Sequence, residues 1–244
     1  MKVVILAGGL GTRLPEYTKN IPKPMVKINK IPILIHIMRI FIKYGHTSFY
    51  ILAGYKKNII ENYFKNFSKN GEYFSEILFK KKCLINILDT GQKSMTGGRL
   101  KKVSKYIDEN ENFMFTYGDG LSDVNLLKLE KFHKRNNKIL TVTAVRPPAR
   151  FGELTIKKKI VTKFLEKPQV SEGWINGGFF ISRKKIFDFI KNEKTILEKD
   201  PLEKLAKTRQ LSAFKHYGFW RCMDTKRDKD YLDELIKSKK AKWL

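Results

Sequence analysis

The segment Leu6-Ala7-Gly8-Gly9-Leu10-Gly11-Thr12-Arg13, followed by Pro22-Lys23-Pro24, carries the residue types that hold phosphate. Glycines let the backbone approach an anion closely and adopt positive φ. Successive N–H groups can then wrap phosphate oxygens as a nest, and Arg13 and Lys23 add full positive charge. The same glycines also suit a plain tight turn from strand to helix. The loop is not a Walker loop, since no Gly-Lys-Ser/Thr follows, and not a dinucleotide fingerprint, whose last glycine would fall on Leu14.

Two carboxylates are candidates for a cation. Asp119 follows an apolar run and lies between Gly118 and Gly120; Asp224 lies far along the chain. Two acidic oxygens plus substrate phosphates suit Mg²⁺, which keeps waters and needs few protein ligands. The alternatives are a Gly-Asp-Gly turn for Asp119 and a helix N-cap for Asp224, with Asp224-Thr225 preceding the last helix. Gly97-Gly98-Arg99 opens a predicted helix whose N-terminus suits anions. Ser94, Thr96 and Arg99 then meet the base, ribose or phosphates, unless Thr96 is only a cap and Arg99 only solvated. His36, His46, His133 and His216 show no metal-ligand spacing. Phe164, Phe179, Phe180, Phe219 and Trp220 could stack a base or sugar, though core packing is the more ordinary role. Cys83 and Cys222 form no C-x-x-C motif.

Alternating elements position these residues. Lys2–Ala7 is a continuous apolar run, expected of a buried parallel strand. Further strands are predicted at Phe49–Ala53, Ile85–Leu88, Phe113–Tyr117 and Ile139–Val145. Helices are predicted at Pro32–Tyr44, Asn58–Phe67, Gly97–Ile107 (Leu100, Val103 and Ile107 on one face) and Val124–Asn136. This order implies right-handed βαβ units and a mostly parallel, Rossmann-like central sheet flanked by helices. Ligands bind such sheets at the carboxyl ends of the strands, which directs attention to the loops after Ala7, Leu88 and Tyr117. Beyond Arg146, Phe151–Ile156, Ile160–Glu166 and Ile175–Ser182 read as antiparallel strands. Helices near Lys184–Lys191 and Pro201–Lys207, a strand at Leu211–Phe214 and a helix at Asp228–Lys237 complete the chain.

With 244 residues and 42% hydrophobic residues, the chain has material for a large core. No apolar run reaches membrane-spanning length, and the first residues do not read as a signal peptide, so a cytoplasmic protein is expected. Lys and Arg number 50 against 24 Asp and Glu, a net charge of +26. Nucleic acid or an anionic membrane is one reading of such an excess. The lysines are scattered in pairs and triplets without a nucleic-acid motif, however, which favours a solvated surface and anionic substrates.

Taken together, Gly-Gly-x-Gly-Thr-Arg and Pro-Lys-Pro resemble the signature of the sugar-1-phosphate nucleotidylyltransferases. Asp89-Thr90-Gly91, Ser94-Met95-Thr96-Gly97-Gly98-Arg99, Thr116-Tyr117-Gly118-Asp119-Gly120, Arg150-Phe151-Gly152, Glu166-Lys167-Pro168, Asn176-Gly177-Gly178-Phe179-Phe180 and Gly218-Phe219-Trp220-x-x-Met223-Asp224-Thr225 narrow the resemblance to the glucose-1-phosphate cytidylyltransferases. It covers nearly the whole chain. It implies one nucleotidyltransferase domain over 1–244, with 1–146 mainly for nucleotide and 147–244 mainly for sugar phosphate. It implies that Leu6, Ala7, Gly8, Gly9, Gly11, Thr12, Arg13, Lys23, Ser94, Thr96, Gly98, Arg99 and Asp119 bind nucleotide, with Arg13 and Lys23 catalytic. Glu166, Lys167, Asn176 and Gly177 are implied for the sugar phosphate, and Asp119 and Asp224 for Mg²⁺. CTP and glucose 1-phosphate are the implied substrates, with another nucleotide (UTP or dTTP) or sugar as the neighbouring reading. A catalytically inactive basic binding protein is the distant one. A homo-oligomer also fits the family. The segment between Asn66 and Ile87 departs from it, being compact and lysine-rich where the cytidylyltransferases carry a longer insertion.

Overall fold

The computed structural model describes residues 1–65, 81–147, 159–162 and 173–244, and the backbone of strand residues 68–69, 72–74, 153–157 and 163–165. The strands are β1 Val3–Ala7, β2 Lys27–Ile28, β3 Ile31–Pro32, β4 Ser48–Ala53, β5 Ser68–Lys69, β6 Glu72–Phe74, β7 Leu84–Asp89, β8 Asn112–Tyr117, β9 Gly120–Ser122, β10 Leu140–Val145, β11 Glu153–Lys157, β12 Ile160–Leu165, β13 Ile175–Arg183, β14 Leu211–His216 and β15 Trp220–Cys222. The α-helices are α1 Pro15–Thr18, α2 Ile33–Lys43, α3 Lys57–Lys65, α4 Thr96–Lys101, α5 Leu126–Asn136, α6 Asp200–Lys207 and α7 Lys226–Lys237.

Among the described residues the main sheet runs β14-β10-β13-β8-β1-β4-β7-β6-β5. The neighbours β8, β1, β4 and β7 are parallel, as are β10 and β14. Strand β13 runs antiparallel between β8 and β10, and β6 runs antiparallel to β7. The expected mostly parallel sheet is therefore present. The three strands expected beyond Arg146 divide: β11 and β12 make a separate antiparallel hairpin, while β13 enters the main sheet.

Side-chain alternation explains the unbroken apolar run of β1. Val3, Ile5 and Ala7 pack on one face of the sheet with α2 residues such as Ile37 and Phe41. Val4 and Leu6 face the other side with Leu100, Val103 and Ile107. A strand buried on both faces must be apolar throughout. Helix α2 ends where Gly45 adopts φ +85°, a conformation that glycine enters without a side-chain clash.

The expected helix over Gly97–Ile107 is shorter. Helix α4 stops at Lys101, and a 3-10 turn at Ser104–Tyr106 follows. Burial of Val103 and Ile107 against the sheet overrides the weak helical preference of Val103 and Ser104. Lys184–Phe189 is likewise a 3-10 segment. Helix α1 and strands β2, β3, β5, β6, β9 and β15 were not expected; each is too short to show a period.

Register sets the functional edge. Ala7 aligns with Ala53, Leu6 with Tyr117, and Ala53 with Asp89. The loops after β1, β4, β7 and β8 therefore emerge side by side. Strand β13 begins at the same edge, with Asn176 opposite Ala144.

His36 and His133 are core residues. His36 Nε2 lies 3.1 Å from the Ile28 carbonyl, and His133 Nδ1 lies 2.8 Å from Thr141 Oγ1. Burial lowers each pKa to about 4. The unfolded value is about 6.5, so the unfolded chain binds more protons between these values, and stability falls as pH falls through this window. By about pH 5 each histidine costs on the order of 1–2 kcal/mol. Urea midpoints should drop between about pH 7.5 and pH 5. A His36→Gln/His133→Gln variant should lose much of that pH slope, whatever its absolute stability; a slope unchanged in that variant would remove these histidines as the cause.

Candidate active site

A cleft of about 980 Å³ opens at the aligned strand ends. Of the residues expected from sequence, Leu6, Ala7, Gly8, Gly9, Gly11, Thr12, Arg13, Lys23, Ser94, Thr96, Arg99, Asp119, Asn176, Gly177 and Asp224 all line it. Gly98 does not. Its N–H bonds to the Thr195 carbonyl at 3.2 Å, and a Cβ there would lie 2.2 Å from the Glu193 carbonyl oxygen. This glycine permits packing of α4 against the 193–195 backbone. Glu166 and Lys167 lie outside the described residues, as do Arg150, Phe151 and Gly152.

The cleft floor is a charge cluster. Lys23 Nζ lies 2.6 Å from Asp119 Oδ2 and 2.6 Å from Asp224 Oδ1. Arg13 Nη1 lies 2.5 Å from Asp224 Oδ2. Lys23 is 7% exposed. Burial alone would lower its pKa, but Asp119 above all, with Asp224, reverses the balance and raises it. Lys23 is therefore a fixed positive charge, not a base. Local structure places these groups. Lys23 opens a 3-10 turn, with Pro22 before it and Pro24 within it. Asp119 occupies the link between β8 and β9, and its carbonyl accepts the Met223 N–H at 2.9 Å. Asp224 follows β15 and is not the helix cap: Thr225 and Asp228 form the capping box of α7. Both Asp224 carboxylate oxygens are thus turned to the cleft cations.

Arg99 is 4% exposed, so a solvated role is excluded. Its guanidinium donates to Thr90 Oγ1, the Gly91 carbonyl and the Gln92 carbonyl at 2.6, 2.7 and 3.0 Å. A Cβ on Gly8 would lie 2.1 Å from its Nη1, and one on Gly54 would lie 2.2 Å away. The positive group is wedged beneath the glycine loop, and Gly8 is glycine because Arg99 occupies the space. Thr96 is not a cap; its hydroxyl donates to Glu198 at 2.6 Å and accepts the Leu197 N–H. The Ser94 hydroxyl donates to the Thr90 carbonyl, with Glu193 Oε2 3.3 Å away.

Sequence reasoning missed one wall. Tyr117 donates to Glu198 at 2.6 Å and receives Asn176 Nδ2 at 3.1 Å; burial, then Glu198, raises its pKa. No motif surrounds Glu198. Its one signal is that acids are scarce in so basic a chain. Trp220 also lines the cleft, its indole N–H on the Gly177 carbonyl at 2.7 Å. Phe179 and Phe180 are core residues.

Ser122, Asp123 and His216 lie together but form no relay. Ser122 Oγ and Asp123 Oδ1 both approach the same His216 Nε2, at 3.2 and 3.0 Å. Ser122 is fully buried. The cleft thus offers amides, fixed cations and carboxylates, which suits transfer of a charged phosphoryl group by positioning and charge neutralisation.

The sequence model of the nucleotidyl transferase family matches residues 2–236. The glucose-1-phosphate cytidylyltransferase of Salmonella typhimurium is 46% identical over all of this chain and 98% of its own. A probable glucose-1-phosphate cytidylyltransferase of Bacillus subtilis is 40% identical over 92% of each chain. The crystal structure of HddC from Yersinia pseudotuberculosis has a TM-score of 0.73 at 28% identity, covering 96% of this chain and 99% of that one.

Gly8→Ala should cost about 1–3 kcal/mol by urea unfolding, because it drives Arg99 from three acceptors. In an Arg99→Ala background the same change should cost at least about 1 kcal/mol less. Strictly additive penalties would show that Gly8 is not there to seat Arg99.

Proposed function

The chain belongs to the nucleotidyl transferase family, and on that premise we propose that it transfers the cytidylyl group of CTP to α-D-glucose 1-phosphate, giving CDP-glucose and diphosphate. Identity to glucose-1-phosphate cytidylyltransferases over the whole chain supports the substrates. The observation that carries the reaction is the meeting of Arg13, Lys23, Asp119 and Asp224 at the end of the glycine loop. Residues 1–146 mainly serve the nucleotide, and 147–244 mainly the sugar phosphate. On family grounds the enzyme is a cytoplasmic homo-oligomer whose product serves surface-polysaccharide or deoxysugar synthesis. Among the described residues no helix is long and apolar enough to cross a membrane.

A phosphate oxygen of the sugar 1-phosphate attacks the α-phosphorus in line. The new O–P bond forms as the bond to the bridging oxygen breaks, and diphosphate leaves. The nucleophile is already ionised near neutral pH, so no general base is required. The loop amides and Arg13 hold the departing phosphates. Lys23 faces the α-phosphate or the sugar phosphate, where its raised pKa keeps it charged. Asn176 and Gly177, with Glu166 and Lys167, contact the sugar phosphate. The cation is magnesium. The site suits a divalent ion: Asp119 and Asp224 each offer a carboxylate oxygen, within 4.8 Å of one another. When bound, the ion withdraws charge from the phosphates and orients them.

Diphosphate release should be measured for CTP, UTP, dTTP, ATP and GTP, each crossed with a panel of sugar 1-phosphates. The CTP and glucose 1-phosphate pair should give the highest kcat/KM. A preference for another pair would reassign the substrates, and no release with any pair would sink the reaction. Lys23→Ala should reduce turnover by at least about a hundredfold with its circular dichroism spectrum unchanged. Near-normal turnover would remove Lys23 from the chemistry.

A further inference from the structure

Cys222 stands where the cation belongs. Strands β9 and β15 pair as a short antiparallel ribbon with Cys222 opposite Gly120, the residue after Asp119. Two residues beyond Cys222 comes Asp224. Side chains alternate across a strand, and Met223 between them is fully buried on the other side. Cys222 and Asp224 thus reach the same side as Asp119, and all three line the cleft. Their ligand atoms lie within 4.8 Å of one another. Donors around one tetrahedral zinc ion, with bonds of roughly 2.0–2.3 Å, stand about 3.4–3.8 Å apart, so the atoms must close by about 1 Å. A small side-chain adjustment therefore gathers the sulfur and two oxygens on one ion.

The chemistry of this donor set is mixed. Magnesium takes oxygen ligands and ignores sulfur, whereas thiolate ligands favour softer divalent ions such as zinc. We propose that Cys222 is the third protein ligand of the cation site, so that the site takes thiophilic divalent cations, zinc and cadmium, through one sulfur and two carboxylate oxygens. Such ions compete with magnesium for the same carboxylates. Coordination through sulfur releases the thiol proton to solvent. Lys23 gives up its two carboxylate contacts when the ion enters. Cys83 is buried in the core beside β7 and serves as the internal control. The proposal rests on Asp119 and Asp224 being the cation's carboxylates.

Cadmium is titrated into the wild-type protein while the ultraviolet sulfur-to-cadmium charge-transfer band is recorded. The band should appear in wild type and in Cys83→Ala, and vanish in Cys222→Ser and in Asp119→Asn. Cadmium affinity should fall at least about tenfold in Cys222→Ser, while a circular dichroism spectrum reports its fold. Absence of the band in wild type, its survival in Cys222→Ser, or equal cadmium affinity in the two proteins would overturn the proposal. Magnesium-supported diphosphate release by the wild type tests the reaction separately, so failure of the one is distinguishable from failure of the other.

Discussion

The site is organised by one buried ammonium. Lys23 lies between two carboxylates that are 96 and 201 residues away in sequence. A buried charge is tolerable only when paired, and removing one partner of such a pair is far costlier than the pair is worth. Lys23 therefore fixes the end of β8, the end of β15 and its own proline-flanked turn relative to one another. The exposed Arg13–Asp224 pair contributes little to stability by comparison. In the proposed reaction the same contacts are the ones that must be exchanged. The carboxylates pass from lysine to the cation, and the lysine passes from carboxylate to phosphate. Every charge has a partner before and after, so the substrate complex replaces one neutralised arrangement by another.

Much of this was legible in the residues. The apolar run of β1, the glycines after it and Pro22-Lys23-Pro24 located the strand end and its cations correctly. They did so because local pattern and tertiary placement coincide there. Asp224 was ambiguous, since an acid before a helix suits both a cap and a site. The choice is made by Asp228, which completes the capping box with Thr225 and leaves Asp224 unneeded at the helix end. Gly98 lies off the cleft lining for a packing reason. Ser94, Met95, Thr96 and Arg99 line the cleft, while Gly97 and Gly98 face the backbone of a segment some hundred residues later. Tyr117, Glu198 and Cys222 were invisible as site residues because only the register of β8, the docking of the 193–198 segment on α4 and the β9–β15 pairing bring them in.

The charge excess takes on meaning beside these acids. With 24 acidic residues among 244, each buried or half-buried carboxylate is easily matched by a cation, and most surface lysines have no carboxylate to meet. The lysines that remain give the molecule a positive field, which raises the local concentration of polyanionic substrates at low ionic strength. That field acts on encounter rate and not on fold.

Beneath the loop, Arg99 has a mechanical consequence. Its planar guanidinium fills the space between Gly8 and Gly54 and grips three oxygens of the 90–92 turn. It acts as a rigid spacer under the first turn of the glycine loop. A loop propped in this way cannot fold inward when empty, so little conformational freedom remains to be lost on binding. In the proposed reaction, affinity for the triphosphate then depends on how firmly a residue from a different strand connection is held.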